Sequence, residues 1–198
     1  MRLFAAAYPP RAAREHLAHA LAEVRAMTGT ALRWGDPEQW HVTLAFYGDQ
    51  PEGAVPDLAE HLREVALGFP PLRVSLHGAG SFSGTTLWVG LGGDTAALGD
   101  LMHACSLDPD ERARQRAHLT VARTSRTERT RQAKERRRGS RVRAHTGPEL
   151  AHVVHALSVY EGPEWTVGEI RLVASELGEG RSGGALHTTV ERHPLSGV

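Results

Sequence analysis

The sequence predicts an α+β fold of two pseudo-symmetric lobes, each an antiparallel sheet with helices, and a cleft between them. Three observations predict it. A strand-like motif occurs twice, 77 residues apart, as Trp40-His41-Val42-Thr43-Leu44-Ala45-Phe46 and Ala117-His118-Leu119-Thr120-Val121-Ala122-Arg123. Segments with the two-residue period of strands and the 3.6-residue period of helices follow one another along the chain. The bulk balance, 40% apolar and 23% charged over 198 residues, is that of a folded globular domain, so residues 1–198 are read as one bilobal domain.

Arg2 to Tyr8 reads as the first strand, closed by Pro9-Pro10. Proline suits a helix's first turn, and Leu17, Leu21 and Val24 recur at helical spacing through Met27 until Gly29 ends the run. Leu32-Arg33-Trp34 is a short extended piece, and Pro37-Glu38-Gln39-Trp40 leads into the first histidine strand, which stops at Gly48. A second helix starts near Pro56 with Val55, Leu58, Leu62 and Val65 on one face, and Gly68 with Pro70-Pro71 breaks it. Leu72, Val74 and Leu76 alternate as a strand, and Thr86 to Leu91 form another beyond the stretch Gly78 to Gly84, the two pairing as a hairpin. Asp94 to Leu107 is a third helix with Ala97, Leu98, Leu101, Met102 and Cys105 inward. The second histidine strand follows, then a basic stretch read as a long loop with a helical turn or two. Pro148 starts a fourth helix carrying Leu150, Val153, Val154 and Leu157, stopped by Gly162-Pro163. Ile170, Leu172 and Ala174 form one strand, and Leu186 to Glu191 the last. Each histidine strand thus falls in one of two roughly equivalent halves, and halves that face each other bring the histidines together across a cleft.

Composition narrows the function classes. The single cysteine, Cys105, excludes an internal disulfide and a cysteine-based zinc cluster. No apolar run approaches the roughly 20 residues of a membrane helix, and Leu3 to Tyr8 is too short for the apolar core of a signal peptide. These features lead to the expectation of a cytoplasmic protein. The net charge is zero, yet Arg123 to Arg143 holds ten basic residues against Glu128 and Glu135, a local +8. Such a block is either a solvated segment or an anion-binding arm. Gly90-Leu91-Gly92-Gly93 lacks the Gly-Lys-Ser/Thr ending of a phosphate loop. The helical pairs His16/His19 and His152/His155 have no carboxylate or cysteine companions, so no metal site is expected from them.

The repeated motif carries the chemistry. Alternate side chains of a strand share a face. His41, Thr43 and Ala45 then share one face, with Val42, Leu44 and Phe46 behind; His118, Thr120 and Ala122 do the same, with Leu119 and Val121 behind. Two imidazoles, one protonated and one neutral near pH 7, are a natural acid and base. Two hydroxyls donate to anionic oxygens, and the planar fork of Arg123 matches phosphate. Strict alternation places Arg123 opposite His118, so it reaches the site only where the strand ends or twists at Ala122. Tyr8 and Phe46 are candidates for stacking on a base, although aromatics in such strands also serve as core. Acid, base, hydroxyls and arginine suit displacement at phosphorus with no metal or other cofactor.

The two His-x-Thr-x motifs resemble the defining pair of the two-histidine phosphoesterase superfamily. Within it the sequence is most similar to the RNA 2′,3′-cyclic phosphodiesterase family, also called 2′-5′ RNA ligase. The likeness extends to Leu3-Phe4-Ala5 with Pro9-Pro10, to Arg33-Trp34 with Pro37-Glu38-Gln39-Trp40-His41, to Gly78-Ala79-Gly80-Ser81-Phe82 and to Leu87-Trp88-Val89-Gly90. It also includes Ser175, Leu177 and Pro194-Leu195. The family usually has proline before its second histidine, where this chain has Ala117, and often tyrosine about where His187 stands. The resemblance implies a metal-independent hydrolase that opens 2′,3′-cyclic phosphates at RNA ends, or on related nucleotides, to leave 2′-phosphates. It implies that His118 takes the proton from water, that His41 protonates the leaving 3′ oxygen, and that Thr43, Thr120 and Arg123 hold the phosphate. Two internal lobes suit a monomer. Two alternatives stay open: action on 2′-5′ linkages or small cyclic nucleotides, and a non-catalytic RNA-binding module suggested by the basic block.

Overall fold

A computed structural model describes residues 1–108, 116–130, 148–181 and 184–197. Its strands are β1 (Arg2–Ala7), β2 (Leu32–Trp34), β3 (Val42–Asp49), β4 (Leu72–Phe82), β5 (Thr86–Gly93), β6 (His118–Thr124), β7 (Trp165–Val167), β8 (Glu169–Leu177) and β9 (Ala185–Pro194). Its helices are α1 (Arg11–Ala20), α2 (Ala22–Thr28), α3 (Val55–Leu67), α4 (Thr95–Cys105) and α5 (Pro148–Ala156). The strands run in the order β7-β4-β5-β6-β3-β1-β8-β9, with β2 also on β6. All described pairings are antiparallel.

The expected two-lobed α+β arrangement is present, with a narrow joint. β3 and β6 meet through the single pair Val42–Leu119, whereas β1 and β8 pair from Arg2–Ser175 to Ala6–Arg171. One lobe is the sheet of β1, β3, β8 and β9; the other is that of β2 and β4 to β7. The lobes are therefore not consecutive halves of the chain, as the order of elements suggests. The C-terminal strands complete the sheet begun by the N-terminal one.

The helices are shared out in a similar way. Leu58 and Leu62 of α3 and Leu98, Leu101 and Met102 of α4 pack with Leu3, Leu44, Ile170 and Leu172. Leu17 of α1, Val24 of α2 and Leu150 and Val153 of α5 pack with Trp40, Val89, Leu119 and Val121. So α1 and α2 follow β1 in sequence but lie on the other lobe. An apolar stripe tells which helix face is buried and says nothing of which sheet buries it.

Three local details differ from the sequence reading. The first helix divides at Leu21 into α1 and α2. β4 continues through the glycine stretch to Phe82, with a register shift at Gly78, whose φ is 60°. Gly80 makes room for a neighbour: a Cβ there would fall 2.3 Å from Cζ2 of Trp88. β7 is an added short strand, with Trp165 and Val167 buried. In the basic stretch residues 126–130 are helical, as the expected helical turn or two allows, and 131–143 lie outside the described residues. Among the described residues no helix is long and apolar enough to cross a membrane.

Candidate active site

The joint between the lobes is also the centre of the motif pair, because Val42 and Leu119 each follow one of the histidines directly. β3 and β6 depart from a regular strand at the same place. Against β1, Thr43 faces Ala6 and Ala45 faces Ala5, which leaves Leu44 over. Against β5, Thr120 faces Trp88 and Ala122 faces Leu87, which leaves Val121 over. A bulge puts two successive residues to one side and bends the strand. Accordingly Leu44 and Ala45 are both buried, and so are Val121 and Ala122. In β6 the peptide at the bulge is held by Gly35, whose N–H donates to the Val121 carbonyl at 2.8 Å.

The bulges correct the strict alternation read from the sequence. Ala45 belongs to the core and not to the histidine face, and Ala122, equally buried, still lines the cleft. Phe46 is not core but 44% exposed. Arg123, expected opposite His118, comes out on the same side. A cleft of about 770 Å³ brings together His41, Thr43, Phe46, His118, Thr120 and Arg123.

Tyr8 is placed differently. Its ring lies 5.6 Å from that of His41, with the Arg171 guanidinium 4.7 Å over it, and it does not line the cleft. Burial pushes its hydroxyl up to about 12, against the lowering effect of Arg171. Tyr8 lines instead a second concavity of about 540 Å³ with Arg11, Arg14 and Arg171. We place the candidate site in the larger cleft because that cleft holds both motifs.

The two imidazoles are anchored alike. His41 Nδ1 lies 2.8 Å from the Gln39 carbonyl, and His118 Nδ1 lies 2.7 Å from the Arg116 carbonyl. A carbonyl only accepts, so each neutral ring carries its proton on Nδ1 and keeps the Nε2 lone pair for proton transfer. Their surroundings differ. His41 is walled by Phe4 at 4.9 Å and His187 at 4.8 Å, besides Tyr8. Desolvation lowers its pKa to about 4; the Gln39 carbonyl opposes the shift, while His187 and His118 add to it. His118 packs on Phe82 at 4.8 Å and Trp88 at 6.2 Å.

Several cleft residues escaped the sequence reading. Gln39 holds His41 through its backbone and β9 through its side chain, since Oε1 accepts from the His187 N–H at 2.7 Å. His187 lines the cleft, its pKa lowered by burial and its Nδ1 buried without a hydrogen bond. Among the described residues Arg2, Arg33, Arg129 and Arg181 join Arg123 on the wall, against one lining carboxylate, Asp36. Asp36 accepts from the Glu38 N–H at 3.0 Å and lies 3.5 Å from Arg181. The cleft is therefore cationic, as a site for a phosphodiester requires. Among the described residues no three His, Cys, Asp or Glu side chains are grouped as a metal would need.

Residues 8–88 match the family described as LigT like Phosphoesterase. That stretch is similar to the LigT-like phosphoesterases. The match includes the first histidine motif, and the second lies beyond it. The RNA 2′,3′-cyclic phosphodiesterase of Archaeoglobus fulgidus is 28% identical over 189 residues, covering 89% of this chain and 92% of that one. The Thermus thermophilus protein of the same name is 37% identical over 84 residues, 41% of this chain and 40% of that one. Escherichia coli LigT complexed with 3′-AMP superposes with a TM-score of 0.68 at 19% identity, over 98% of both chains. A crystal structure of a Thermus thermophilus protein gives 0.67 at 24%, over 100% of this chain and 99% of that one. These structural likenesses show that the LigT-like fold extends over the whole chain.

Proposed function

We propose that this chain is a LigT-like phosphoesterase that hydrolyses 2′,3′-cyclic phosphate ends of RNA to 2′-phosphates, with His41 and His118 as its acid–base pair and no metal. The observation that carries this reading is the pair of imidazoles, each fixed through Nδ1 to a backbone carbonyl and both lining one cationic cleft. The names of the aligned relatives support the substrate class. One imidazole takes a proton from the attacking water while the other gives one to the leaving 3′ oxygen. Thr43 and Thr120 donate hydrogen bonds to the phosphoryl oxygens as charge builds on them, while Arg123 holds the RNA beside them through a chain phosphate. Both motifs come from one chain, which supports a monomer, and the one cysteine is buried, which suits the cytoplasm.

The electrostatics bear on the division of labour. Burial keeps His41 neutral at pH 7, and a neutral ring is ready to accept a proton. This favours His41 as the base and His118 as the acid, the reverse of the roles that the resemblance implies. A cyclic substrate with sulfur in place of the bridging 3′ oxygen distinguishes them, because a thiolate leaves without protonation. The variant lacking the acid should recover most of its lost rate on that substrate, and we expect it to be His118→Ala.

The function is tested by turnover of a nucleoside 2′,3′-cyclic phosphate in excess chelator. Activity should persist there and fall roughly 10²–10⁴-fold in His41→Ala and in His118→Ala. Undiminished activity in either variant would sink the reading. RNA binding without turnover of any cyclic phosphate would favour a binding module instead.

A further inference from the structure

A cyclic phosphate has two ester bonds that water can open, at O3′ or at O2′, and a twofold-symmetric site has no means to choose. This site is close to that condition. The histidines, the threonines, the backbone anchors from Gln39 and Arg116 and the bulges at Leu44 and Val121 all repeat about the Val42–Leu119 joint. The repeat is broken at the first residue past each bulge on the cleft side. Phe46 stands there in β3 and Arg123 in β6, so an aromatic ring occupies in one motif the position that a cation occupies in the other.

We propose that Phe46 and Arg123 determine which ester bond is broken by fixing the direction in which the nucleotide lies across the histidine pair. The proposal rests on the cyclic phosphodiesterase reading above and adds the origin of its regiochemistry. Phe46 is 44% exposed, and the Arg2 guanidinium lies 5.1 Å from its ring centroid. A nucleobase stacks on such a ring whatever its identity. Arg123 is exposed, faces Arg33 across the β2–β6 ladder and shares the wall with Arg129. This cluster suits the next phosphate of an RNA chain, which an arginine fork holds through paired hydrogen bonds.

In a terminal nucleotide the base lies on the O2′ side of the ribose and the chain continues on the O3′ side. Base on Phe46 and preceding phosphate toward Arg123 therefore give each ester oxygen one histidine. In that orientation the water oxygen bonds to phosphorus as the P–O3′ bond breaks. The water proton passes to one imidazole, the other imidazole's proton passes to O3′, and a 2′-phosphate remains. With the nucleotide turned round, the base loses its stacking ring and the preceding phosphate meets Arg2 alone in place of the Arg33, Arg123 and Arg129 cluster. The P–O2′ bond would then break to leave a 3′-phosphate.

The test reads products rather than rates. A dinucleotide ending in a 2′,3′-cyclic phosphate is incubated with the protein, Phe46→Ala, Arg123→Ala and the exchange Phe46→Arg/Arg123→Phe, and phosphorus NMR gives the ratio of 2′- to 3′-phosphate. The unaltered protein should yield the 2′-phosphate. Each single variant should lower the ratio at least about tenfold, the scale of one lost stacking or phosphate contact, and the exchange should lower it further. Only 2′-phosphate from every variant would overturn the proposal while leaving the phosphodiesterase reading intact. Loss of all turnover in both single variants would also overturn it, since it would place these side chains in the chemical step. No turnover by the unaltered protein would mark failure of the underlying reading instead.

Discussion

A histidine that serves in acid–base chemistry is usually expected to titrate near neutrality, and burial takes His41 away from that range. In the unfolded chain its imidazole protonates near pH 6.5; in the folded protein burial delays this to about 4. Between those values the unfolded state binds more protons, so stability rises with pH across the window and is lost as acid is added. Imidazole NMR should show His41 neutral from pH 8 to 5, and denaturant midpoints should fall as the pH drops from 6.5 to about 4. A His41 signal titrating near 6.5 would contradict the burial argument. Thr43→Val and Thr120→Val keep the shape of a β-branched side chain and remove the hydroxyl. Each should lower kcat on a cyclic phosphate by roughly 10²-fold, as loss of one preorganised donor does, and leave thermal unfolding little changed. Both histidines and both threonines are legible in the sequence because a motif of that length, repeated once, marks its own equivalent positions. Arg2 and His187 are not legible, since they reach the cleft from strands near opposite ends of the chain.

At the scale of the element, the paired bulges explain why reading Phe46 and Arg123 from alternation fails. Leu44-Ala45 and Val121-Ala122 are apolar pairs that fit either a regular strand or a bulged one, so nothing local signals the extra residue. The helices are easier, because Leu58, Leu62 and Ala66 of α3 fall on one stripe whichever sheet they meet. The glycine stretch in β4 looks like a break for a related reason. Glycine signals both a turn and a close approach, and at Gly80 the approach is that of the Trp88 indole. Gly80→Ala should therefore displace Trp88, which packs near His118, and destabilise the fold by about 1–3 kcal/mol. Thermal melts and tryptophan fluorescence would check both effects; an unchanged melt would show that the indole can move aside freely.

Over the whole molecule the charge balance hides the working surface. The sequence displays a basic block at 123–143, but among the described residues Arg123 and Arg129 are the members of it that line the cleft, beside three arginines from elsewhere. Arg2, Arg33 and Arg181 arrive from separate parts of the chain, so the cationic cleft becomes visible only when the sheet is assembled. Binding of single-stranded RNA to a His41→Ala variant should weaken with salt. Its log–log slope should be no steeper than about −3.5 if these five cations make the phosphate contacts. A slope near zero would mean that the arginines do not touch the backbone of the RNA.

The interleaving of the lobes has a consequence for the way the chain is made. A ribosome releases β1 early and β8 and β9 last, yet β1 lies between β3 and β8 in the finished sheet. Throughout synthesis one edge of β1 waits for a partner not yet translated, and an unpaired strand edge is open to mispairing. The sheet carrying β4 to β7 can close first. The lobe holding His41 is begun first and completed last, so the cleft forms only after translation is nearly over.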